Sequence, residues 1–475
     1  MAVDMAIKNC KIVFPEGIIS GAGVAVDGEK IVAVVKEPLL PNADEVIDAK
    51  GNYLFPGLME PHAHLSYGTM QLYAGHIKQE TTSGLIGGIT TFMIKLPSQG
   101  LKVPYEELEK TTNDNLMTDM AFQIGIGTVE HTKQLRHYAE CGITDFKFHM
   151  YAHEKVGVKR GEDDIIWRTF VISNQLIKEG YPIVIRFHCD NQRVHDAAMQ
   201  MMLESGKNTL EDYYKSLQDW TVIEGLRRVL FLQEHMPNVP IYIVHMRHGD
   251  GIPLCAEAKG RGLPVWLETE PQYLTFTRES FNWKNQFGDQ RDIDMLWKGI
   301  QDGIVDCIGT DHEVAYKEDY MRRKGTGKVI WDEWAPGHPI GAPTTLSVLL
   351  HYGVHKGQIS LEKVCKLMAL NPAKAHSIFP QKGTIAVGSD ADFAIVDLDL
   401  EKKVTSELLH STGDMNYWLD QKLKGWTVMT ISKGKVVMEA TEKDEAILGK
   451  PGHGKVLRRK KRLVGPSGTT AKVDR

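Results

Sequence analysis

The chain has 475 residues, of which 42% are hydrophobic and 25% are charged, and its formal net charge is −5. This composition is typical of globular proteins, and the small negative charge gives no indication of binding to nucleic acid or to a membrane surface. No apolar run approaches the length of a membrane span, and residues 1–8 lack the charged and apolar segments of a secretory signal. We therefore expect a cytoplasmic protein with no nucleic-acid or membrane partner.

The six cysteines lie far apart in the sequence, and no Cys-x-x-Cys motif is present. This distribution predicts reduced and mostly buried thiols, as expected in the cytosol. Cys189 directly follows a candidate metal ligand, His188, and could act as a nucleophile. We favour a core position for Cys189, because free cysteines usually serve as small buried side chains.

Short strands separated by glycine-rich turns are predicted at both ends of the chain. Each end alone is too short to form a good core, so we expect the two to combine into one small β-sandwich rather than two separate subdomains. Residues 1–52 would form its first part and residues 381–440 its second. The predicted strands and strand-rich segments are Met5–Phe14, Gly23–Val26, Lys30–Val35, Asp392–Asp397 and Trp426–Glu439.

Between these parts, residues 53–380 alternate apolar, strand-like runs with helix-like stretches. The runs are nearly continuous in apolar residues, as expected for parallel strands that are buried on both faces. Eight such units in succession predict an α/β fold, a (β/α)8 barrel. A doubly wound open sheet is the alternative, but no Gly-x-Gly-x-x-Gly follows any strand. The predicted strands are Leu54–Leu58, Thr90–Leu96, Phe122–Gly127, Asp145–Met150, Pro182–Phe187, Ile241–Val244, Pro264–Leu267 and Asp306–Gly309.

The last segment, residues 441–475, is rich in glycine, lysine and arginine, and it contains the basic run from Arg458 to Arg462. Such a run is usually a solvated arm, and it could wrap a neighbouring subunit. We do not expect it to bind nucleic acid, because no basic face or aromatic platform accompanies it.

Polar residues interrupt five of the predicted barrel strands at or near their C-terminal ends. In a barrel these ends form one rim, where catalytic groups gather. Each residue alone could cap a loop or a helix, but five such coincidences at one rim favour a functional site. The first strand has two histidines at i and i+2, which share one face and can reach one ion. The rim residues are His62 and His64, Lys147, His188, His245 and Asp311.

Four histidines and an aspartate are more ligands than one tetrahedral ion needs, so the set predicts two metal ions. Lys147 cannot be a ligand as an ammonium, and burial beside cations would disfavour its charged form. If its neutral amine captured carbon dioxide, the carbamate would be a carboxylate able to bridge two ions. A buried salt bridge to Asp145 or Asp311 is the alternative interpretation of Lys147.

The motifs of the chain match a known family. The pattern Pro-Gly-x-x-x-x-His-x-His, then Phe-Lys with a following Tyr, then His, His and Thr-Asp-His resembles the amidohydrolase superfamily. Further motifs resemble its dihydropyrimidinase/hydantoinase branch, the cyclic amidohydrolases, and the likeness extends over most of the chain. They are Gly87-Gly88-Ile-Thr90-Thr91, Glu268-Thr-Glu-Pro271-Gln272-Tyr273-Leu274, Asn371-Pro372-Ala373 and the stretch from Lys382 to Asp392.

The resemblance implies a metal-dependent hydrolase that cleaves a carbon–nitrogen bond, most often in a cyclic amide or imide. A metal-bridging hydroxide would attack the carbonyl, Asp311 would act as general base and then acid, and Tyr151 would stabilise the oxyanion. Tyr151 and His338 would bind the substrate. The family likeness also implies a homotetramer. The implied ligands are His62, His64 and Asp311 on one ion, His188 and His245 on the other, and carboxylated Lys147 between them. Zinc is favoured as the metal, with manganese, cobalt and nickel as alternatives.

Three segments depart from the pattern of the branch, which leaves room for another substrate. In Trp334–Gly341, the asparagine expected to bind the cyclic amide is not evident. Ser66–Thr69 lacks the acidic residue and the Pro-Phe pair of the branch, and His188 is followed by Cys-Asp-Asn rather than Ala-Glu-Asn. An acyclic amide, a urea or a carbamate is therefore an alternative substrate on the same metal site. A non-catalytic scaffold is a further alternative, and so is a deaminase-type enzyme with one ion. Lys147 argues against the latter, because a single ion needs no bridge.

Overall fold

A computed structural model describes residues 2–65, 74–96, 104–151, 159–207, 212, 216, 218–280, 287–318, 339–441 and 445–462. Two nine-stranded sheets account for all the strands in these ranges. The strands are β1 (Val3–Phe14), β2 (Gly17–Asp27), β3 (Lys30–Lys36), β4 (Ala43–Asp48), β5 (Tyr53–Pro56), β6 (Leu58–His64), β7 (Ile89–Leu96), β8 (Asp119–Gly125), β9 (Asp145–His149), β10 (Val184–His188), β11 (Ile241–Ile243), β12 (Val265–Thr269), β13 (Cys307–Ile308), β14 (His312–Glu313), β15 (Phe393–Lys403), β16 (Lys422–Ser432), β17 (Lys435–Ala440) and β18 (Glu445–Ile447).

Helices lie between most of the barrel strands and after the last of them. In the described ranges, none of these helices is long and apolar enough to cross a membrane. The α-helices are Ala74–Ile86, Tyr105–Asn113, Val129–Lys133, Leu135–Glu140, Asp163–Lys178, Gln192–Glu204, Trp220–Glu234, Gly251–Gly260, Gln290–Gln301, Thr345–Val348, Leu361–Cys365 and Asn371–Ala375; 3-10 turns cover Glu37–Leu39 and Pro271–Leu274, and π-helical turns cover Leu349–Val354 and Lys366–Leu370.

The central sheet is the predicted barrel. Strands β6 to β13 follow one another in chain order, and each pairs in parallel with the next. The eighth strand is split into two short pieces: β13 pairs with β12, whereas β14 pairs in parallel with β6. The split strand therefore joins the last strand of the sheet to the first and closes the ring. The prediction of a (β/α)8 barrel is confirmed.

Burial of the barrel strands follows from their position between the helices and the barrel interior. Every residue of β7 and of β8 is buried, so both faces of these strands are covered. Parallel strands in this position need apolar residues on both faces, which explains the continuous apolar runs in the sequence. A polar side chain inside such a run is costly unless it has a partner, and these exceptions mark the candidate site.

Both ends of the chain build the second sheet, as predicted. Its strand order is β18-β17-β16-β15-β5-β1-β2-β3, with β4 paired to β1. The strand β5 lies between the two ends, because it pairs in parallel with β1 and antiparallel with β15. The N-terminal and C-terminal strands share one apolar core, in which Ile7 and Ile12 pack with Phe393 and Ile431. The prediction of a small β-sandwich from both chain ends is confirmed.

The strand predicted at Leu54–Leu58 is wrong in one respect, because Gly57 divides it. The residues before Gly57 form β5 in the sandwich, and the residues after it form β6 in the barrel. A Cβ atom at Gly57 would lie 2.2 Å from Thr90 Oγ1 and 2.6 Å from Asp392 Cβ. Only glycine therefore allows the chain to pass between the two units at this point.

The expectation of a solvated basic arm is also wrong for Arg459, which is 3% exposed. Its guanidinium lies 3.1 Å from Asp145 Oδ2 and donates hydrogen bonds to Thr144 Oγ1 and to the Phe122 carbonyl. Asp145 begins β9, so this arginine anchors the described part of the C-terminal segment to the barrel. A basic run gives no sign of which of its members is paired with a buried carboxylate, so the sequence did not predict this contact.

A buried ion cluster around Lys382 joins the sandwich to the barrel. Its ammonium lies 2.6 Å from Asp119, 2.6 Å from Asp392 and 2.9 Å from Asp390. Asp119 begins β8 of the barrel, whereas Asp392 directly precedes β15 of the sandwich. The ammonium already occupies the centre of the three carboxylates, so the cluster is structural rather than a metal site.

Replacing Lys382 with Met should lower the free energy of unfolding by about 3–5 kcal/mol, because it leaves buried carboxylates without their cation. Urea unfolding followed by circular dichroism measures this change. Lys298→Met is the matched control, since its partner Asp302 lies four residues away on an exposed helix face. Equal effects of the two substitutions would contradict a role for the cluster in joining the units.

Candidate metal centre

Three of the predicted ligands converge where the first and eighth barrel strands meet. His62 and His64 lie at the end of β6, and Asp311 lies between β13 and β14. Asp311 Oδ1 is 2.9 Å from His64 Nε2 and 3.3 Å from His62 Nε2. One ligand atom from each of the three residues lies within 4.8 Å of the other two, as a shared metal ion requires. The split of the eighth strand thus delivers Asp311 to the two histidines.

The second pair of histidines lies on the neighbouring side of the same rim. His188 ends β10 and His245 follows β11, and His188 Nδ1 is 2.9 Å from His245 Nε2. The ring of His245 lies 5.5 Å from that of His62, so the two groups of ligands are adjacent. The structure therefore brings the four predicted histidines and Asp311 into one place.

Two of these residues have a left-handed backbone that is unusual for side chains other than glycine. Asp311 has a φ of 50° and His245 a φ of 38°. Each such conformation costs of the order of 1–3 kcal/mol and persists only where the surrounding structure holds it. Here the backbone N–H of His245 donates to Glu268 Oε1 over 3.0 Å, which fixes one of the two turns.

Glu268 also fixes the tautomer of His62. Its carboxylate Oε1 lies 3.0 Å from His62 Nδ1. Burial opposes ionisation of Glu268, but the hydrogen bond from His62 and the charge of Arg186 hold its pKa below the usual value. A carboxylate only accepts hydrogen bonds, so His62 Nδ1 donates and the Nε2 lone pair faces Asp311 and Lys147.

Lys147 is close to both groups of histidines, as a bridging position requires, since its charge lowers the pKa of His188 and His245 as well as that of His62. It is 1% exposed, and its Nζ is 3.3 Å from His62 Nε2. Burial and the charge of Arg186 lower the pKa of Lys147 to about 7. In a large fraction of the molecules, Lys147 is therefore a neutral amine near neutral pH. This is the form that can react with carbon dioxide.

The donors of the site fit divalent ions. Burial and the charge of Lys147 lower the pKa of His62 to about 4 and that of His188 to about 3. Burial also lowers the pKa of His64 and of His245. All four imidazoles are thus neutral at physiological pH and offer lone pairs, which is the form that binds a metal. Their nitrogens and the carboxylate of Asp311 suit zinc and its neighbours among the transition metals.

A polar network beneath the ligands was missed by the sequence analysis. The Tyr242 hydroxyl donates to Glu268 Oε2 over 2.7 Å, and Arg186 lies 3.5 Å from the same oxygen. On the other side, Glu60 accepts hydrogen bonds from the backbone N–H groups of His62 and Thr310. The sequence contained a signal for this network. Like Lys147, its members Glu60, Arg186 and Glu268 are charged residues inside apolar strands.

The remaining predicted residues have different surroundings. Tyr151 lies just after β9, and its ring is 6.1 Å from the ring of His195. Asp190, the aspartate of the His-Cys-Asp-Asn sequence, lies 2.7 Å from His195. This aspartate therefore supports the histidine that neighbours Tyr151. Burial raises the pKa of the Cys189 thiol far above its usual value, which favours the core position over a nucleophile. His338 lies outside the described residues.

Comparison with known proteins agrees with this geometry. The model of the amidohydrolase family matches residues 53–437, which is more than half of the chain. The chain belongs to the amidohydrolase family. It is 29% identical to the L-hydantoinase of Paenarthrobacter aurescens over 469 residues, covering 96% of this chain and 98% of that enzyme. It is 26% identical to the allantoinase of Deinococcus radiodurans over 454 residues, covering 93% and 97%.

The fold of this amidohydrolase is similar to a solved structure as well. It superposes on the L-hydantoinase (dihydropyrimidinase) from Arthrobacter aurescens with a TM-score of 0.86 at 26% identity, covering 96% of this chain and 100% of that chain. The predicted family and the prediction of a hydrolase that acts on carbon–nitrogen bonds are thus confirmed. Membership in the family also implies a divalent metal centre.

Replacing Glu268 with Gln should weaken metal binding about 10- to 100-fold, because it removes the acceptor that orients His62. Competition with a chelator of known affinity measures this change without using activity. Glu60→Gln is the matched control, because Glu60 also accepts a hydrogen bond from His62. Burial raises the pKa of Glu60 to about 8, so its carboxyl is mostly protonated and an amide can replace it. Equal metal affinity of the wild type and the Glu268 variant would contradict the orienting role.

Proposed function

We propose that this amidohydrolase cleaves a carbon–nitrogen bond of a cyclic amide or imide, of the hydantoin or dihydropyrimidine type. The observation that carries the proposal is the convergence of His62, His64 and Asp311 next to Lys147, at the strand ends of a barrel. The activities in the names of its relatives, hydantoinase and allantoinase, support a cyclic substrate. The polar residues that interrupt the barrel strands then have a common purpose.

The proposed metal centre contains two divalent ions, with zinc favoured over manganese, cobalt and nickel. The ions, when bound, would supply an activated water and polarise the scissile carbonyl. Carboxylation of Lys147 would turn a lysine with a lowered pKa into a bridging carboxylate. The proposed ligands are His62, His64 and Asp311 for one ion, His188 and His245 for the other, and Lys147 for both.

Asp311 is the proposed general base and acid. Its side chain is 17% exposed, so it reaches the open side of the rim where water and substrate enter. The carboxylate would accept the proton of the attacking water and pass one to the leaving nitrogen. The hydroxyl of Tyr151 would donate a hydrogen bond to the carbonyl oxygen as negative charge develops there. His338 is a further proposed contact to the substrate.

We also propose the division of the chain into units, its location and its assembly. The units would be residues 1–52 and 381–440 for the sandwich, residues 53–380 for the barrel and residues 441–475 for the basic arm. The protein would act in the cytoplasm as a homotetramer. Gel filtration with light scattering tests the assembly, and a dimer or monomer at working concentration would contradict it.

A panel of substrates tests the proposed function. The purified holoenzyme is offered hydantoins, dihydropyrimidines and allantoin, together with acyclic ureas, amides and carbamates. We expect ring opening of at least one class of cyclic amide, with a higher kcat/KM than for any acyclic compound. Hydrolysis confined to the acyclic compounds would replace the proposal with the acyclic alternative. Hydrolysis of none, in a protein that holds its metal, would contradict both.

A further inference from the structure

Lys95 is a second buried lysine beside the candidate metal centre, and the mechanism above does not use it. It lies near the C-terminal end of β7 and is 4% exposed. Among the described residues, its Nζ has no hydrogen-bond partner. Burying a group with three donors and no acceptor is costly, so an unsatisfied ammonium here requires an explanation.

The pairing of β7 with β6 places Lys95 at the proposed site, because Ile94 is opposite Ala63 and Lys95 therefore lies next to His64. Asp311 and Glu313 attract its charge from the eighth strand. Its own charge in turn acts on residues of the first and fourth barrel strands. Burial lowers the pKa of Lys95 to about 7, and the two carboxylates only partly oppose this. The residues whose pKa the charge of Lys95 lowers are His64, Lys147 and His149.

His149 offers a second donor at the same rim. It ends β9, two residues after Lys147, so the two side chains share one face of the strand. Its ring is 5.5 Å from the ring of His188. An imidazole carries an N–H that can donate, whichever tautomer it adopts.

We propose that Lys95, with His149 at the same rim, binds a negatively charged substituent of the substrate, so that the enzyme prefers cyclic amides that carry a carboxylate over neutral ones. This inference rests on the proposed function and names its substrate class. A carboxylate would supply the acceptor that Lys95 lacks, and a charge-assisted hydrogen bond in a buried site is among the stronger polar contacts. A neutral ring substituent would leave the ammonium without a partner.

Two isosteric substrates that differ in charge test the proposal. Hydantoin-5-acetate carries a carboxylate, and hydantoin-5-acetamide carries a neutral amide of the same shape. We expect the wild type to prefer the carboxylate in kcat/KM by about 10- to 100-fold, the range of a hydrogen bond to a charged group. Lys95→Met should abolish the preference and Lys95→Arg should keep part of it. Since Nζ has no hydrogen-bond partner in the described part of the chain, the Met variant is expected to fold.

Equilibrium binding gives a second readout that does not depend on turnover. Calorimetry compares N-carbamoyl-aspartate with N-carbamoyl-asparagine, the ring-opened forms of the same pair, on wild type and Lys95→Met. We expect tighter binding of the dicarboxylate by the wild type and equal binding of the two by the variant. A preference that Lys95→Met leaves intact in both assays would overturn the proposal, and so would a wild type without any preference.

These outcomes are distinct from a failure of the proposed function. If neither hydantoin is opened but the wild type still binds the dicarboxylate selectively through Lys95, the anion site stands and the proposed reaction fails. If both hydantoins are opened at equal rates by wild type and variant, the reaction stands and the anion site fails. An equal loss of both activities in Lys95→Met would assign the lysine to the reaction itself and would also overturn the substrate preference.

Discussion

Replacing Lys147 with Ala is expected to release the metal and to lower kcat/KM by more than about 10³-fold. The substitution removes a buried side chain whose Nζ lies 3.3 Å from His62 Nε2. Without a bridging carboxylate, the proposed ions would lose a shared ligand, and with them the activated water. Metal content by mass spectrometry and steady-state kinetics on the same preparation measure the two effects.

Lys95→Met is the matched control for metal content, because Lys95 is also a buried lysine at the rim with a pKa near 7. It should keep the metal that Lys147→Ala loses. A short carboxylic acid added to the Lys147→Ala protein should restore part of the activity by taking the place of the carbamate. Full metal content and full activity in Lys147→Ala would contradict the carbamate hypothesis.

Replacing Asp311 with Asn should lower kcat by about 10²- to 10⁴-fold, the usual contribution of a general base and acid. An amide oxygen can still ligate a metal, but an amide does not take up a proton at working pH. We therefore expect a larger loss of kcat than of metal content. Stopped assays of ring opening, together with metal analysis, separate the two roles of this carboxylate.

Asp306→Asn is the control for this variant, because Asp306 lies at the opposite end of the same barrel strand and is paired with Lys259. It should leave kcat close to that of the wild type. An Asp311→Asn enzyme with unchanged kcat would show that another group moves the proton. Loss of all metal from Asp311→Asn would show instead that ligation is its main task.

The candidate ligands could be found from the sequence because each interrupts an apolar strand. Lys147 lies between two phenylalanines and His188 follows a third, in strands that are nearly all buried, so these polar side chains were conspicuous. The barrel then placed these strand ends at one rim. What connects the positions is the regular geometry of parallel strands, which a single sequence reveals through the periodicity of its apolar residues.

Other features depend on contacts between distant parts of the chain, which no local pattern predicts. Gly57 separates two strands because Thr90 and Asp392 approach it closely. Arg459 is buried because Asp145, far away in the sequence, offers a carboxylate. Glu268 was recognised only as part of a motif, and its hydrogen bond to His62 became evident in three dimensions. Lys95, by contrast, gave the same local signal as Lys147, a charged residue inside an apolar strand, and was overlooked.

Metal analysis of the purified wild-type protein tests the central claim, a two-ion centre bridged by Lys147, most directly. Inductively coupled plasma mass spectrometry on protein prepared without chelators gives the number of divalent ions per chain. We predict about two ions per chain, with ring-opening activity that rises in proportion to the metal content. A protein that opens cyclic amides at full rate with close to no bound metal would contradict the account.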